Sequence, residues 1–137
     1  MIRSELSKKN KYYISKYRYY ELKYFCLQYG TWKQAYKSLN GLSKQHFSDI
    51  SNSSISDPTE RCVENKLYFR KLMDLVEDSA KLTDPFLWEL ILIGVTTTFS
   101  YDKLKARLEI PCSKSYYYNL YHKFFYLLNK QKLHSVL

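Results

Sequence analysis

Residues 100–128 read SYDKLKARLEIPCSKSYYYNLYHKFFYLL, and the spacing within them sets the expected fold class. Ser100 stands before a short run in which Tyr101, Leu104 and Leu108 recur at three- and four-residue intervals, the period of one helical face. Lys103, Lys105 and Arg107 fall between them and would point outward. Ile110-Pro111-Cys112-Ser113 breaks the run, because proline has no amide hydrogen and its ring steers the preceding residue out of helical backbone. Ser113 can cap a second helix carrying Tyr117, Leu120, Tyr121, Phe124, Leu127 and Leu128 on one face. A short helix, a turn opened by an apolar residue and a longer amphipathic helix make a helix-turn-helix layout over residues 100–132. Leu104, Leu108 and Ile110 are expected to be buried there and to set the angle between the helices.

The helical period continues upstream. Thr83-Asp84-Pro85 signals the start of a helix through Trp88, Leu90, Ile91, Leu92 and Val95, apolar nearly all round and so expected to be the most buried element. Ser56-Asp57-Pro58-Thr59-Glu60 is a stronger start: Asp57 as N-cap, Pro58 where its missing amide hydrogen costs nothing, and Glu60 closing a capping box. That helix is expected to run through Val63, Leu67, Phe69, Leu72, Leu75 and Val76 to about Ala80. Near the N-terminus, Tyr13, Tyr17, Tyr20, Tyr24 and Leu27 mark the face of a helix that Gly30 would stop. A short successor, capped by Thr31 and holding Trp32, Ala35, Tyr36 and Leu39, would end at Asn40-Gly41. With no useful run of strand-like alternation, the chain is expected to be all-α, with about six helices. Three parts follow: a basic, Tyr-rich helical part at 1–42, a polar loop at 43–56 rich in Ser and Asn, and a helical core at 57–137.

The 137 residues carry a net charge of +9, and its distribution is uneven. Residues 1–24 hold seven Lys/Arg against two acids, residues 100–137 seven against two, and residues 57–90 eight acids against five bases. Two basic ends around an acidic middle suit a polyanionic partner, most simply a nucleic acid. Cys26, Cys62 and Cys112 are odd in number and widely spaced, as are His46, His122 and His134, so neither a disulfide framework nor a zinc site is expected. Asp74, Glu77 and Asp78 could line up as a cation site, but they read better as acids on a solvated helix face. No Gly-rich phosphate loop, nucleophile elbow or paired catalytic carboxylates stand out, so no enzyme activity and no cofactor are expected. The N-terminal stretch lacks the apolar segment of a signal peptide, and Phe86–Val95 is too short to cross a bilayer. The expected location is the cytoplasm of a bacterial host, with no membrane partner.

Ser-Asp-Pro-Thr at 56–59, Ser-Tyr-Asp-Lys-Leu at 100–104 and Ile-Pro-Cys-Ser-Lys-Ser-Tyr-Tyr-Tyr at 110–118 together resemble phage-encoded regulators of late transcription of the RinA and ArpU type. The resemblance covers about residues 56–132, and its C-terminal arrangement is also similar to region 4 of sigma factors. Where that family places several Arg after its Tyr-Tyr pair, this sequence has Asn119, Leu120, Tyr121 and His122. The resemblance implies a phage-type transcription regulator that binds double-stranded DNA, with RNA polymerase or another host protein as a further partner.

On the helix-turn-helix layout, the residues expected to touch DNA are Lys103, Lys105, Arg107, Lys114, Ser115, Tyr118, Asn119, His122 and Lys123. Asn can pair bidentately with adenine, Lys can reach guanine or phosphate, and Tyr hydroxyls commonly meet phosphate. Two other readings use the same residues. A phage-encoded inhibitor or adaptor would grip a host nucleic-acid enzyme through its Tyr-rich helical surfaces, and a DNA-packaging recognition subunit would use the helix-turn-helix itself. The aromatic stripe of the first helix is read as core or as the seam of a homodimer.

Overall fold

The computed structural model describes the backbone of residues 7–49 and 58–135, and side chains over 7–40 and 60–132. The described residues form six helices and no strand: α1 Lys16–Leu27, α2 Tyr29–Asp49, α3 Pro58–Thr83, α4 Trp88–Val95, α5 Tyr101–Arg107 and α6 Lys114–Ser135. The fold is all-α. Two compact units divide it, one made of residues 1–28 and 75–137 and the other of residues 29–74. α1 belongs with the C-terminal helices, packing on α4 and α6.

In the larger unit α6 packs on both α1 and α4, and α1 also meets α4. The core is aromatic: Tyr19 of α1 and Tyr117, Tyr121, Phe124 and Phe125 of α6 are buried beside Leu22, Val76, Ile91, Val95, Leu104 and Leu128. Such rings prefer tilted or edge-on contacts, as between Tyr19 and Phe125 at 5.0 Å and 77°. The hydroxyls inside are matched where they meet, Tyr19 Oη lying 2.7 Å from Tyr121 Oη. The α6 face expected from spacing is buried except for Leu127, which is half-buried. Phe125 and His122 join it, so the buried arc is wider than a single stripe.

The α1 face departs from expectation. Tyr17 and Tyr24 are exposed, at 78% and 61%, and the buried residues are Tyr19, Leu22, Lys23 and Cys26. The face that turns inward buries Tyr19, Leu22 and Cys26, and carries with them Lys23. Its ammonium donates to the carbonyls of Gly94, Val95 and Thr97 at 3.1, 3.0 and 2.6 Å. The last carbonyls of a helix have no partner within it and carry its negative dipole end, so a cation there answers both needs. Tyrosines with exposed hydroxyls tolerate the outer face. Burial lowers the Lys23 pKa from its ordinary 10.5 to about 8, despite the opposing pull of Cys26.

The second unit holds α2 and the first part of α3. Trp32 and Cys62 are buried in it, and the Cys62 thiol donates to the Leu39 carbonyl at 3.3 Å. Lys66 and Arg70 both lie over the Tyr36 ring, at 5.8 and 5.7 Å. Val63 and Leu67, two of the apolar residues along α3, are exposed. Gly30 sits in the first turn of α2, and α1 ends earlier, at Leu27, with Gln28 as C-cap. Thr31 therefore lies within α2 rather than capping it. α2 also runs through Asn40-Gly41 to Asp49, so residues 43–49 of the expected loop are helical. No described glycine has positive φ, so none of them acts as a left-handed stop, and a helical glycine costs only about 1 kcal/mol. The expected cap at Asp57 lies outside the described residues, as does the loop beyond Asp49.

α3 continues past Ala80 to Thr83, where Thr83 Oγ1 donates back to the Ser79 carbonyl at 2.8 Å. Asp84 then caps a turn rather than α4 itself: its Oδ1 accepts from the amides of Phe86 and Leu87, both at 2.8 Å. α4 starts at Trp88 and buries only Ile91, Gly94 and Val95, leaving Ile93 exposed. α6 is buried to about the same share of its described length as α4, and each of the two packs on two other helices. Among the described residues, no helix is long and apolar enough to cross a membrane.

Candidate nucleic-acid interface

Ser100 caps α5, its Oγ accepting from the Lys103 amide at 3.3 Å, and Ser113 does the same for the Tyr116 amide at the start of α6, at 3.2 Å. Both caps stand where the sequence places them. The turn between the helices, residues 108–113, is held by Tyr101, whose hydroxyl donates to the Cys112 carbonyl at 2.8 Å. Tyr118 of α6 fastens the other side, its hydroxyl accepting from the Tyr101 amide at 3.2 Å. Leu108, expected to set the helix angle, is 41% exposed, and Ile110 is half-buried. Those two tyrosine bonds and buried Leu104 take over that task.

The candidate contact residues differ in burial and in pairing. Lys103, Lys105 and Arg107 on α5 and Ser115 and Asn119 on α6 are exposed. Tyr118 and Lys123 are half-buried, and Tyr118 is engaged with α5. His122 is buried, edge-on to the Tyr121 ring at 6.0 Å, and is no surface contact. It falls one residue after Tyr121 and two before Phe124, inside the widened arc of α6. Lys114 is exposed but pairs with Asp102 of α5 at 3.1 Å. Tyr116 donates to Asp84 at 3.5 Å, so acids stand near both flanks of the α6 start.

Positive charge is therefore concentrated on α5 rather than on the first turn of α6. Lys103 and Arg107, four residues apart, both lie over the ring of Phe99, at 4.3 and 5.0 Å. Like charges at this helical spacing repel by a few tenths of a kcal/mol, and the negative face of a shared ring offsets that repulsion. Phe99 and Asp102 were not among the expected site residues. Their signal was present as an aromatic residue four positions before Lys103 and an acid within a basic helix. Burial raises the Tyr117 and Cys112 pKa values, so both stay protonated at neutral pH. No group of three or more His, Cys, Asp or Glu that could hold a metal occurs among the described residues. The chain matches no protein-family model, no curated protein and no solved structure.

Proposed function

We propose that this chain binds double-stranded DNA through its C-terminal helix-turn-helix and acts as a phage-type transcription regulator. The observation that carries the reading is the exposed pair Lys103 and Arg107, held side by side over Phe99 on the helix preceding the capped start of α6. In a helix-turn-helix the first helix crosses the phosphate backbone while residues early in the second face base edges. α5 supplies cations for the first role. Ser115 and Asn119, both exposed, supply hydrogen-bonding side chains for the second. The test is a salt titration of binding to a mixed-sequence duplex of 24 base pairs. Each phosphate contact contributes a slope of about −0.9 in log K against log salt, so changing Lys103 and Arg107 to Ala should flatten the slope by about 1.8. Absence of duplex binding by the parent at low salt overturns the reading.

A second reading is favoured by Tyr17 and Tyr24, which are exposed two helical turns apart on α1. Exposed tyrosines at that spacing suit a protein partner, as in an inhibitor or adaptor of a host nucleic-acid enzyme. Nuclease-resistant capture of one host protein, lost when both tyrosines become Ser, favours this reading. Capture that nuclease abolishes favours DNA.

A further inference from the structure

Lysines from both basic ends of the chain meet on one surface of the larger unit. Residues 7–13 form a tight turn in which the Asn10 amide donates to the Ser7 carbonyl at 2.8 Å and the Tyr13 amide to the Asn10 carbonyl at 3.0 Å. The Tyr12 amide also donates to Asn10 Oδ1 at 2.9 Å. This turn leaves Lys8, Lys9 and Lys11 exposed and brings Tyr12 against Tyr126 of α6, ring centroids 5.6 Å apart. The Lys11 ammonium lies 5.0 Å over the Tyr12 ring, and that of Lys130 lies 4.5 Å over Tyr126. Beside them Arg18 is engaged within the protein, donating to Asn129 Oδ1 at 2.6 Å and pairing with Glu21 at 3.5 Å. Arg18 thus fastens α1 to α6, while the lysines face solvent.

We propose that Lys11 and Lys130, resting on the Tyr12–Tyr126 pair, together with Lys8 and Lys9 exposed on the same turn, form a second site for the phosphate backbone of duplex DNA. The inference rests on the DNA reading above and adds a site to it. Sixteen residues of helix separate Lys114 from Lys130, about 24 Å at 1.5 Å per residue, so this surface is distinct from the start of α6. Two lysine ammoniums resting on a joined ring pair hold positive charge in fixed places, a geometry suited to phosphate oxygens. Base stacking requires an open ring face, and here each ring already meets an ammonium and the other ring at a tilt of 57°. Gathering cations from residues more than a hundred positions apart is unfavourable by itself, and a polyanion offsets the repulsion.

The test compares four proteins on the same 24-base-pair duplex across a range of salt: the parent, Lys11→Ala/Lys130→Ala, Lys103→Ala/Arg107→Ala, and all four changes together. The expected result is a salt slope flatter by about 1.8 for each pair and by about 3.6 for the fourfold variant, with unchanged melting temperatures. If the parent and the Lys103/Arg107 variant differ while Lys11→Ala/Lys130→Ala binds like the parent, the second site is overturned and the helix-turn-helix reading stands. If only the Lys11/Lys130 variant weakens, the second site stands and the helix-turn-helix reading falls. An effect of Lys11 and Lys130 seen with single-stranded oligonucleotide and absent with duplex overturns the backbone proposal, as does a parent that binds no duplex.

Discussion

The hydroxyl of Tyr117 occupies the space that a side chain on Gly94 would need. A Cβ added at Gly94 would collide with Tyr117 Oη and stand 3.1 Å from its Cζ. The glycine of α4 is therefore required by the approach of α6, since its φ is not positive. Tyr117 is fully buried and its hydroxyl has no hydrogen-bond partner among the described residues, so the ring has little room to yield. Gly94→Ala should destabilise the fold by about 1–3 kcal/mol, the usual cost of overpacking, despite its better helix propensity. Tyr117→Phe should be neutral or stabilising, because it removes a buried polar atom that has no partner. In the double variant the cost of Gly94→Ala should shrink. Urea denaturation of all four proteins measures that coupling, and strict additivity would show that the two side chains do not compete for space.

The paired hydroxyls of Tyr19 and Tyr121 make a second cycle. Changing Tyr19 to Phe removes the 2.7 Å bond and leaves the Tyr121 hydroxyl buried without it. The expected cost is about 1–3 kcal/mol, and it should fall well below that in a Tyr121→Phe background. Equal costs in both backgrounds would mean that the bond contributes nothing net.

Lys23 and Cys26 should give the protein an alkaline stability profile with a broad maximum. Burial lowers Lys23 from 10.5 to about 8, so the unfolded chain binds more protons than the folded one in that interval. Stability should therefore rise with pH from about 8, by about 1 kcal/mol per unit. Burial raises Cys26 from 9.0 to about 12, so its contribution is present below 9 and declines as pH rises through that range. Tyr117 and Tyr121, raised above their ordinary 10.0 by burial, add a further loss beyond pH 10. The net expectation is a rise from 8 to 9, a plateau to about 10, then a fall. Lys23→Met should abolish the rise, and Cys26→Ala should extend it toward pH 10, as followed by urea midpoints.

Within α6, folding and recognition should separate by residue. Phe124→Ala should cost about 3–5 kcal/mol, the range for deleting a fully buried ring. Asn119→Ala should leave stability within about 0.5 kcal/mol, since the side chain is exposed. Under the DNA reading it should still weaken binding to a selected operator by about 1–3 kcal/mol. A variant that folds normally and binds that operator like the parent would remove Asn119 from the reading surface.

Helix content and the caps at Ser100 and Ser113 were legible in the sequence because they depend on local chemistry alone. The buried face of α6 was legible because its apolar residues outnumber any competing arc. The face of α1 was not: Tyr17 and Tyr24 match the helical period as well as Tyr19 and Leu22 do. What distinguishes the buried face is its tertiary partners, the Phe125 ring against Tyr19 and three carbonyls of residues 94–97 for Lys23. For the same reason Lys114 and His122 looked like free surface groups, whereas Asp102 and the neighbouring rings engage them. Period and charge predict which residues can face water, and the tertiary partner decides which of them do.

That α1 packs on α6 also sets a clock on synthesis. The Tyr19–Tyr121 bond closes over 102 residues, so α1 leaves the ribosome long before its partner is made. At about 5–20 residues per second, α1 waits roughly 5–20 seconds, with Leu22 and Cys26 uncovered and Lys23 lacking its carbonyl cradle. During that interval the nascent chain is a natural client for a chaperone. A ribosome that stalls before α6 would release an incomplete core rather than a smaller folded protein.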